Sequence, residues 1–336
     1  MTDSLSHDQN ARIQKLGTWR DEGHCLAVAR YGEVSIQPAN DGDHHEATQQ
    51  REGAARRQGP SGRQGAAGQS GAAASPEPAR KDGSTDVRAQ YLAAMPEIEV
   101  YYPDLRVIEV EDGIWVVTQI FPIGRDGPYF SVCLFLSDDK TREAKAFAFV
   151  GNGAAGEPVG IRHTNFPDAS ICAFCADDGV WKPGQSPHIL LDLYAEWLLC
   201  HLFLQQEEYW PGRQWGDHAT YRQSEFKDRE WCFCEKGLRY GDCHASSDAG
   251  EVARLKHERR YKDLPSRRVP SAVLNFAKSG WKSAPPGGAL KLREFMTQIE
   301  GEILMNRLRR SRPFVRPLTP PPKGVPLRPW LLASTI

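Results

Sequence analysis

Four strand-length runs between residues 86 and 160 constrain the fold more than any other feature of this chain. The runs read YYPDL, IWVVTQIFPI, YFSVCLFLS and AKAFAFVG, and they are rich in β-branched and aromatic residues. Glycine, aspartate and proline separate them, as is typical of turns in β-sheets. Because the connections are short, we expect neighbouring strands to run antiparallel as a meander.

Helices are predicted on both sides of these strands. A short helix is predicted over residues 86–94, before the first strand. Residues 186–209, SPHILLDLYAEWLLCHLFLQQEEY, place apolar side chains nearly all round a long helix, which predicts a buried central helix. An antiparallel meander packed on helices is an α+β fold.

The two ends of the chain contain weaker patterns. Residues 1–36 predict at most one short strand, and residues 37–85 are rich in Gly, Ala, Gln, Ser and Arg. Such a segment cannot bury enough surface to offset its ordering entropy, so residues 1–85 are predicted to be mostly disordered. Residues 247–312 predict a helical region that ends in an amphipathic helix, and residues 313–336 a proline-rich tail.

A compact set of metal ligands lies in residues 231–244, WCFCEKGLRYGDCH. Cys232, Cys234, Cys243 and His244 supply three thiolates and one imidazole, which is a complete tetrahedral set for zinc. Four protein ligands leave no open position for substrate, so the predicted zinc ion is structural.

This pattern resembles the SEC-C motif, C-x-C-G-S-x-x-x-Y-x-x-C-H/C, with Tyr240 at the tyrosine position. Glu235 and Lys236 stand where that motif has Gly-Ser. The resemblance implies a zinc knuckle over residues 228–246 that docks a partner.

A second pattern begins at His163-Thr164-Asn165 and reaches Cys172 seven residues after the asparagine. Trp181 and the long helix follow. This order resembles the active-site region of ubiquitin-conjugating enzymes, where a His-Pro-Asn triplet precedes the thioester-forming cysteine.

The resemblance covers a domain over residues 86–222 and implies the ubiquitin-conjugating-enzyme-like fold. The segment Trp210-Pro-Gly, followed by His218, is similar to the stand-alone conjugating domains of bacterial antiphage (CBASS) operons. The resemblance implies that Cys172 forms the thioester, that Asn165 donates to the oxyanion and that His163 holds the turn.

What the resemblance implies is a transferase that carries a ubiquitin-like modifier on Cys172 and passes it to an amine on a target protein. No phosphate-binding loop is seen in the sequence, so an activating enzyme would have to act in trans. Two alternatives stay open. One is a non-catalytic adaptor of the same fold. The other is a redox pair, because Cys172 and Cys175 form a Cys-x-x-Cys.

Composition and hydropathy argue against several other classes of protein. The formal net charge of −1 over 336 residues implies no bulk attraction to nucleic acid or to a membrane surface. No apolar run is long enough for a transmembrane helix, and the N-terminal residues contain no apolar core of a secretory signal. Eight cysteines without such a signal indicate reduced thiols and metal ligands, which predicts a cytoplasmic protein.

Overall fold

A four-stranded antiparallel sheet lies at the centre of the computed structural model. The structure describes residues 5–37, 86–151, 157–160, 162–165, 168–173, 179–212, 225–234, 236–260, 268–288 and 290. Apart from Gln37, these residues belong to one compact unit, which joins residues 1–36 with residues 86–336. The prediction of disorder for residues 37–85 therefore lies outside the described residues.

The described elements are five α-helices, one turn of 3-10 helix (Arg30–Gly32), two short strands and the four strands of the central sheet. In chain order the α-helices and strands are α1 (His7–Asp21), β1 (Leu26–Val28), β2 (Val34–Ile36), α2 (Val87–Tyr101), β3 (Arg106–Val110), β4 (Gly113–Ile120), β5 (Phe130–Ser137), β6 (Lys145–Val150), α3 (His188–Glu207), α4 (Ala245–Arg260) and α5 (Ser271–Lys278).

The central sheet is the predicted meander. Its strands lie in the order β3-β4-β5-β6, and each neighbouring pair is antiparallel. The α+β class is thereby confirmed. The helix predicted over residues 86–94 extends further, to Tyr101, with Asp86 as its N-cap.

One face of the sheet packs on the helices. Ile114, Val116 and Ile120 of β4 point to this face and join a core that also contains side chains of α1, α2 and α3. Helix α3 is buried along most of its length, as the sequence predicted. The packing of α1 on α3 is close, because a Cβ on Gly17 would lie 1.8 Å from Cδ2 of Phe203.

The prediction for residues 1–36 is wrong, because they form a helix and a two-stranded hairpin. Helix α1 begins with a capping box between Ser6 and Gln9, and it buries Ile13 and Leu16 in the core. Strands β1 and β2 pair antiparallel. The sequence HDQNARIQKLGTWRD has few apolar residues, so it contains no clear helical stripe. Tertiary contacts, including the close approach of Gly17 to α3, stabilise this helix.

The other face of the sheet is covered by the C-terminal region. Trp115, Phe135, Phe147 and Phe149 alternate with the residues of the first face and form a second core with the α5 segment. The C-terminal side chains of this second core are Val273, Phe276, Ala277, Trp281 and Leu290. These side chains of the predicted C-terminal helical region are thus integral to the packing of the sheet, while residues 291–336 lie outside the described residues.

Removing one side chain of the second core should lower the stability of the whole unit. Phe276 is fully buried against Trp115, with ring centroids 5.4 Å apart. Phe276→Ala should cost about 3–5 kcal/mol of unfolding free energy, as is usual for a buried phenylalanine. Chemical denaturation measures this loss, and Asn275→Ala, an exposed position on the same helix, is the control. An unchanged midpoint in Phe276→Ala would show that the C-terminal region does not stabilise the sheet.

Candidate functional site: a metal knuckle beside a cysteine hairpin

The four predicted metal ligands meet in space. The ligand atoms of Cys232, Cys234, Cys243 and His244 all lie within 4.8 Å of one another. Cys232 Sγ is 2.9 Å from His244 Nδ1, and the Sγ atoms of Cys234 and Cys243 are 3.4 Å apart. Zinc–ligand bonds of about 2.0–2.3 Å place tetrahedral neighbours roughly 3.5–3.8 Å apart, so small shifts would let all four bind one ion. The prediction of a metal site is confirmed to this extent, and the geometry leaves the identity of the metal open.

Two local structures hold the ligands, and together we call residues 228–246 the knuckle. The first is a narrow hairpin in which Trp231 pairs with Arg239 and the Cys232 amide donates to the Leu238 carbonyl at 2.9 Å. Its turn contains Gly237, whose φ of +65° suits glycine. The second is the start of α4, where the Tyr240 carbonyl accepts from the amides of Cys243, His244 and Ala245 at 3.0–3.1 Å.

The three thiols differ in acidity before any metal binds. Burial raises the pKa of Cys232, and burial is also the main cause that raises the pKa of Cys243. Burial acts in the same sense on Cys234, but the Lys236 amide and hydrogen bonds from the two neighbouring thiols outweigh it, so the pKa of Cys234 is lowered. A metal must displace the protons of the thiols that bind it, so its affinity should fall as the pH falls.

Metal binding gives a direct test of this site. The purified chain should contain one zinc ion, and Cys234→Ser should lose it because a closed tetrahedral site needs all four ligands. Elemental analysis after gel filtration in reducing buffer measures the stoichiometry, and Cys25→Ser, an exposed cysteine elsewhere, is the control. Full zinc content in Cys234→Ser would exclude these ligands.

The knuckle is attached to the end of α1 by polar contacts of Asp21. The Asp21 carboxylate accepts from the Arg239 guanidinium at 2.7 and 3.1 Å and from the Gly212 amide at 3.0 Å. Its backbone carbonyl accepts from the Trp231 indole at 2.8 Å. The N-terminal helix therefore supports the knuckle directly.

The predicted thioester region forms a second hairpin, which we call the cysteine hairpin (residues 162–165 and 168–172). Thr164 pairs with Ile171, the Asn165 amide donates to the Ser170 carbonyl at 2.7 Å, and the Cys172 amide donates to the His163 carbonyl at 3.0 Å. The structure thus brings His163, Asn165 and Cys172 together. Cys175 lies outside the described residues.

The surroundings of Cys172 and Asn165 bear on the roles predicted for them, which are thioester formation and donation to the oxyanion. Cys172 is 0% exposed. The side-chain amide of Asn165 donates to Ser170 Oγ at 3.1 Å and to the Ile171 carbonyl at 3.2 Å. In the described conformation the amide therefore stabilises the hairpin itself.

Aromatic residues from two other parts of the chain pack beneath the cysteine hairpin. The Trp197 indole of α3 donates to the His163 carbonyl at 2.8 Å. The rings of His163 and Trp210 have centroids 4.2 Å apart. The Trp210-Pro-Gly segment that the sequence singled out therefore meets helix α3 at His163, while His218 lies outside the described residues.

His201 of α3 packs against Trp197 and Trp210. Its imidazole is neutral at ordinary pH. Its Nε2 lies 2.8 Å from the Arg162 carbonyl, and its ring packs at a tilt against the Trp197 ring, with centroids 4.0 Å apart. Burial lowers the pKa of His201 to about 3, and the nearby Arg162 charge adds to the effect. An unfolded histidine has a pKa of about 6.5, so between these values the unfolded chain binds a proton that the folded chain does not.

This difference makes stability fall as the pH drops below about 6.5. From pH 7.5 to 5, wild type should lose about 2 kcal/mol more unfolding free energy than His201→Gln, since the glutamine cannot titrate. Denaturation series at each pH measure the difference. His7→Gln, at an exposed histidine, should keep the wild-type pH dependence. Parallel curves for wild type and His201→Gln would contradict the assignment.

Sequence reasoning missed the charged residues between the two hairpins. Glu230 is 0% exposed and its carboxylate pairs with the Arg162 guanidinium. Arg162 also lies 3.5 Å from the carboxylate of Glu225, which is itself buried. Both residues occur in ordinary charged stretches of the sequence, IRH and DREW, so no local pattern could have indicated their burial.

Comparison with models of protein families, with curated proteins and with solved structures finds no match to this chain. Among the helices that the structure describes, none has the length and apolar character needed to cross a membrane.

Proposed function

We propose that this chain is a ubiquitin-conjugating-like transferase that carries a ubiquitin-like modifier as a thioester on Cys172. It passes the modifier to an amine on a target protein in a bacterial defence or modification pathway. The observation that supports this most is the meeting of His163, Asn165 and Cys172 in one hairpin, held by Trp197 and Trp210. The order of α2, the meander, the cysteine hairpin and α3 is the order expected of that fold.

The proposed chemistry has two acyl transfers. The Cys172 thiolate attacks an activated C-terminal carbonyl, forms the thioester and expels the activating group. The target amine then attacks the thioester, loses its proton to solvent or a nearby base, and expels the Cys172 thiolate. Each step passes through an oxyanion, for which Asn165 is the proposed donor. The activating enzyme acts in trans, and a reducing compartment such as the cytoplasm keeps the thiol competent.

This function requires a local opening, because the Cys172 thiol is fully buried. The contacts that hold the Cys172 end of the hairpin include the hydrogen bond from the Cys172 amide to His163 and the adjoining Thr164–Ile171 pair. Opening of such a short segment costs less than global unfolding. The same opening would release the Asn165 amide from Ser170 and Ile171, so that the nucleophile and the oxyanion donor become available together.

Zinc in the knuckle has a structural part in this proposal. Cys232, Cys234, Cys243 and His244 fit it by number, type and spacing. The ion would fix the fold of the knuckle, which offers a docking surface for a partner. The acyl transfer itself takes place at Cys172 and does not use the ion.

Transfer from a chemically activated modifier tests the proposal without an activating enzyme. Candidate ubiquitin-like proteins bearing a C-terminal thioester should load Cys172, with release of the small thiol, and intact-mass analysis measures the adduct. Cys172→Ala should abolish the adduct and Cys172→Ser should convert it to a thiol-resistant ester. Cys25→Ser and Cys175→Ala should leave loading intact. An adduct that survives in Cys172→Ala, or that depends on Cys175, would overturn the assignment.

A second candidate function is a non-catalytic adaptor of the same architecture. The burial of Cys172 and the internal hydrogen bonds of Asn165 favour it. In that case wild type and Cys172→Ala would bind the modifier equally well and neither would form an adduct. A Cys172/Cys175 redox pair, the other alternative, would instead appear as a reversible loss of two mass units from the native chain.

A further inference from the structure

Glu230 lies between the two hairpins and contacts both. Its side chain is 0% exposed. One carboxylate oxygen accepts from the Trp210 amide at 2.9 Å, and the other pairs with the Arg162 guanidinium. A buried carboxylate is stable only where its partners are held in place, so the position of Glu230 must be well defined.

The backbone of Glu230 belongs to the knuckle. Its carbonyl accepts from the Tyr240 amide at 2.7 Å, and its amide donates to the Lys227 carbonyl at 3.0 Å. The metal ligand Cys232 follows two residues later, in the same short ladder. A metal that joins Cys232 and Cys234 to Cys243 and His244 closes this ladder and so fixes Glu230.

The partners of Glu230 belong to the cysteine hairpin and its support. Arg162 directly precedes His163, whose carbonyl accepts from the Cys172 amide. Trp210 packs its ring on the ring of His163. A shift of Glu230 would therefore disturb Arg162, which precedes His163, and Trp210, which packs on its ring. The hydrogen bond from the Cys172 amide to the His163 carbonyl would be disturbed with them.

We propose that Glu230 is a positioning residue that couples metal binding in the knuckle to the closed state of the cysteine hairpin. Metal bound at the knuckle holds Glu230 against Arg162 and Trp210, which keeps Cys172 buried. Metal loss loosens the ladder, the buried ion pair loses its fixed geometry, and Cys172 becomes accessible. The coupling rests on the proposed function only for what Cys172 does once it is exposed.

Alkylation rates of individual cysteines test this coupling independently of any transfer activity. The full chain, loaded with zinc or depleted by a chelator, is treated with iodoacetamide, and peptide mass spectrometry gives the rate at Cys172. Depletion should raise that rate by about tenfold or more, because a local opening becomes easier. Cys133 and Cys200, which are buried in the two hydrophobic cores on either face of the sheet, report global unfolding and should stay protected.

Variants separate the coupling from a general loss of structure. In zinc-loaded protein, Glu230→Gln should raise the Cys172 rate about as much as depletion does while keeping one zinc ion per chain. Zinc depletion of this variant should then raise the Cys172 rate little further, because the charged contact between residue 230 and Arg162 is already lost. Asp242→Asn, an exposed carboxylate in the knuckle, is the matched control and should behave as wild type. If Glu230→Gln does not fold, Arg162→Lys tests the same contact, because lysine keeps the charge but loses the planar fork.

Two outcomes would overturn the coupling. The first is an equal Cys172 rate in zinc-loaded and zinc-depleted wild type. The second is a uniform rise at Cys133, Cys172 and Cys200 on depletion, which would mean that the whole unit unfolds. A Cys172 rate that responds to zinc while no modifier is ever loaded would sustain the coupling and exclude the transferase.

Discussion

The burial of both faces of the central sheet is the constraint on which the rest of the structure depends. Along β4, β5 and β6 successive side chains point to opposite faces, and both sets are mainly apolar. One face needs α1, α2 and α3, and the other needs the segment around α5. A sheet with two apolar faces cannot be stable until both are covered, so the N-terminal helix and the C-terminal segment are integral parts of one unit.

Buried polar contacts then decide how the loops and the knuckle attach to this layered core. Arg20 and Glu196 lie 3.9 Å apart between α1 and α3, Asp21 binds the knuckle, and Glu230 binds Arg162. Buried charges of this kind are weak sources of net stability, but each is costly to separate from its partner. They therefore specify one arrangement of the elements more than they add to the free energy of folding.

The candidate site combines two kinds of cysteine with different physical settings. The knuckle cysteines have their sulfur atoms grouped with an imidazole, which suits a metal. Cys172 lies on the cysteine hairpin with its side chain buried, and its amide donates to the His163 carbonyl. A thiol buried in this way is protected from oxidation and non-specific acylation, and the transfer that we propose requires a controlled opening. Both proposals, transfer and coupling, place that control in the contacts around His163.

The sequence alone determined the meander, the buried helix α3 and the four metal ligands, because each depends on local periodicity or on short spacing. It also indicated His163, Asn165 and Cys172 as one group of candidate site residues. Tertiary structure alone decided that the polar α1 is a folded helix, since Gly17 and the contacts of Asp21 stabilise it across long sequence separations. The burial of Glu230 and Arg162 could not be predicted from the sequence either, because a charged residue acquires its partner only when distant segments meet.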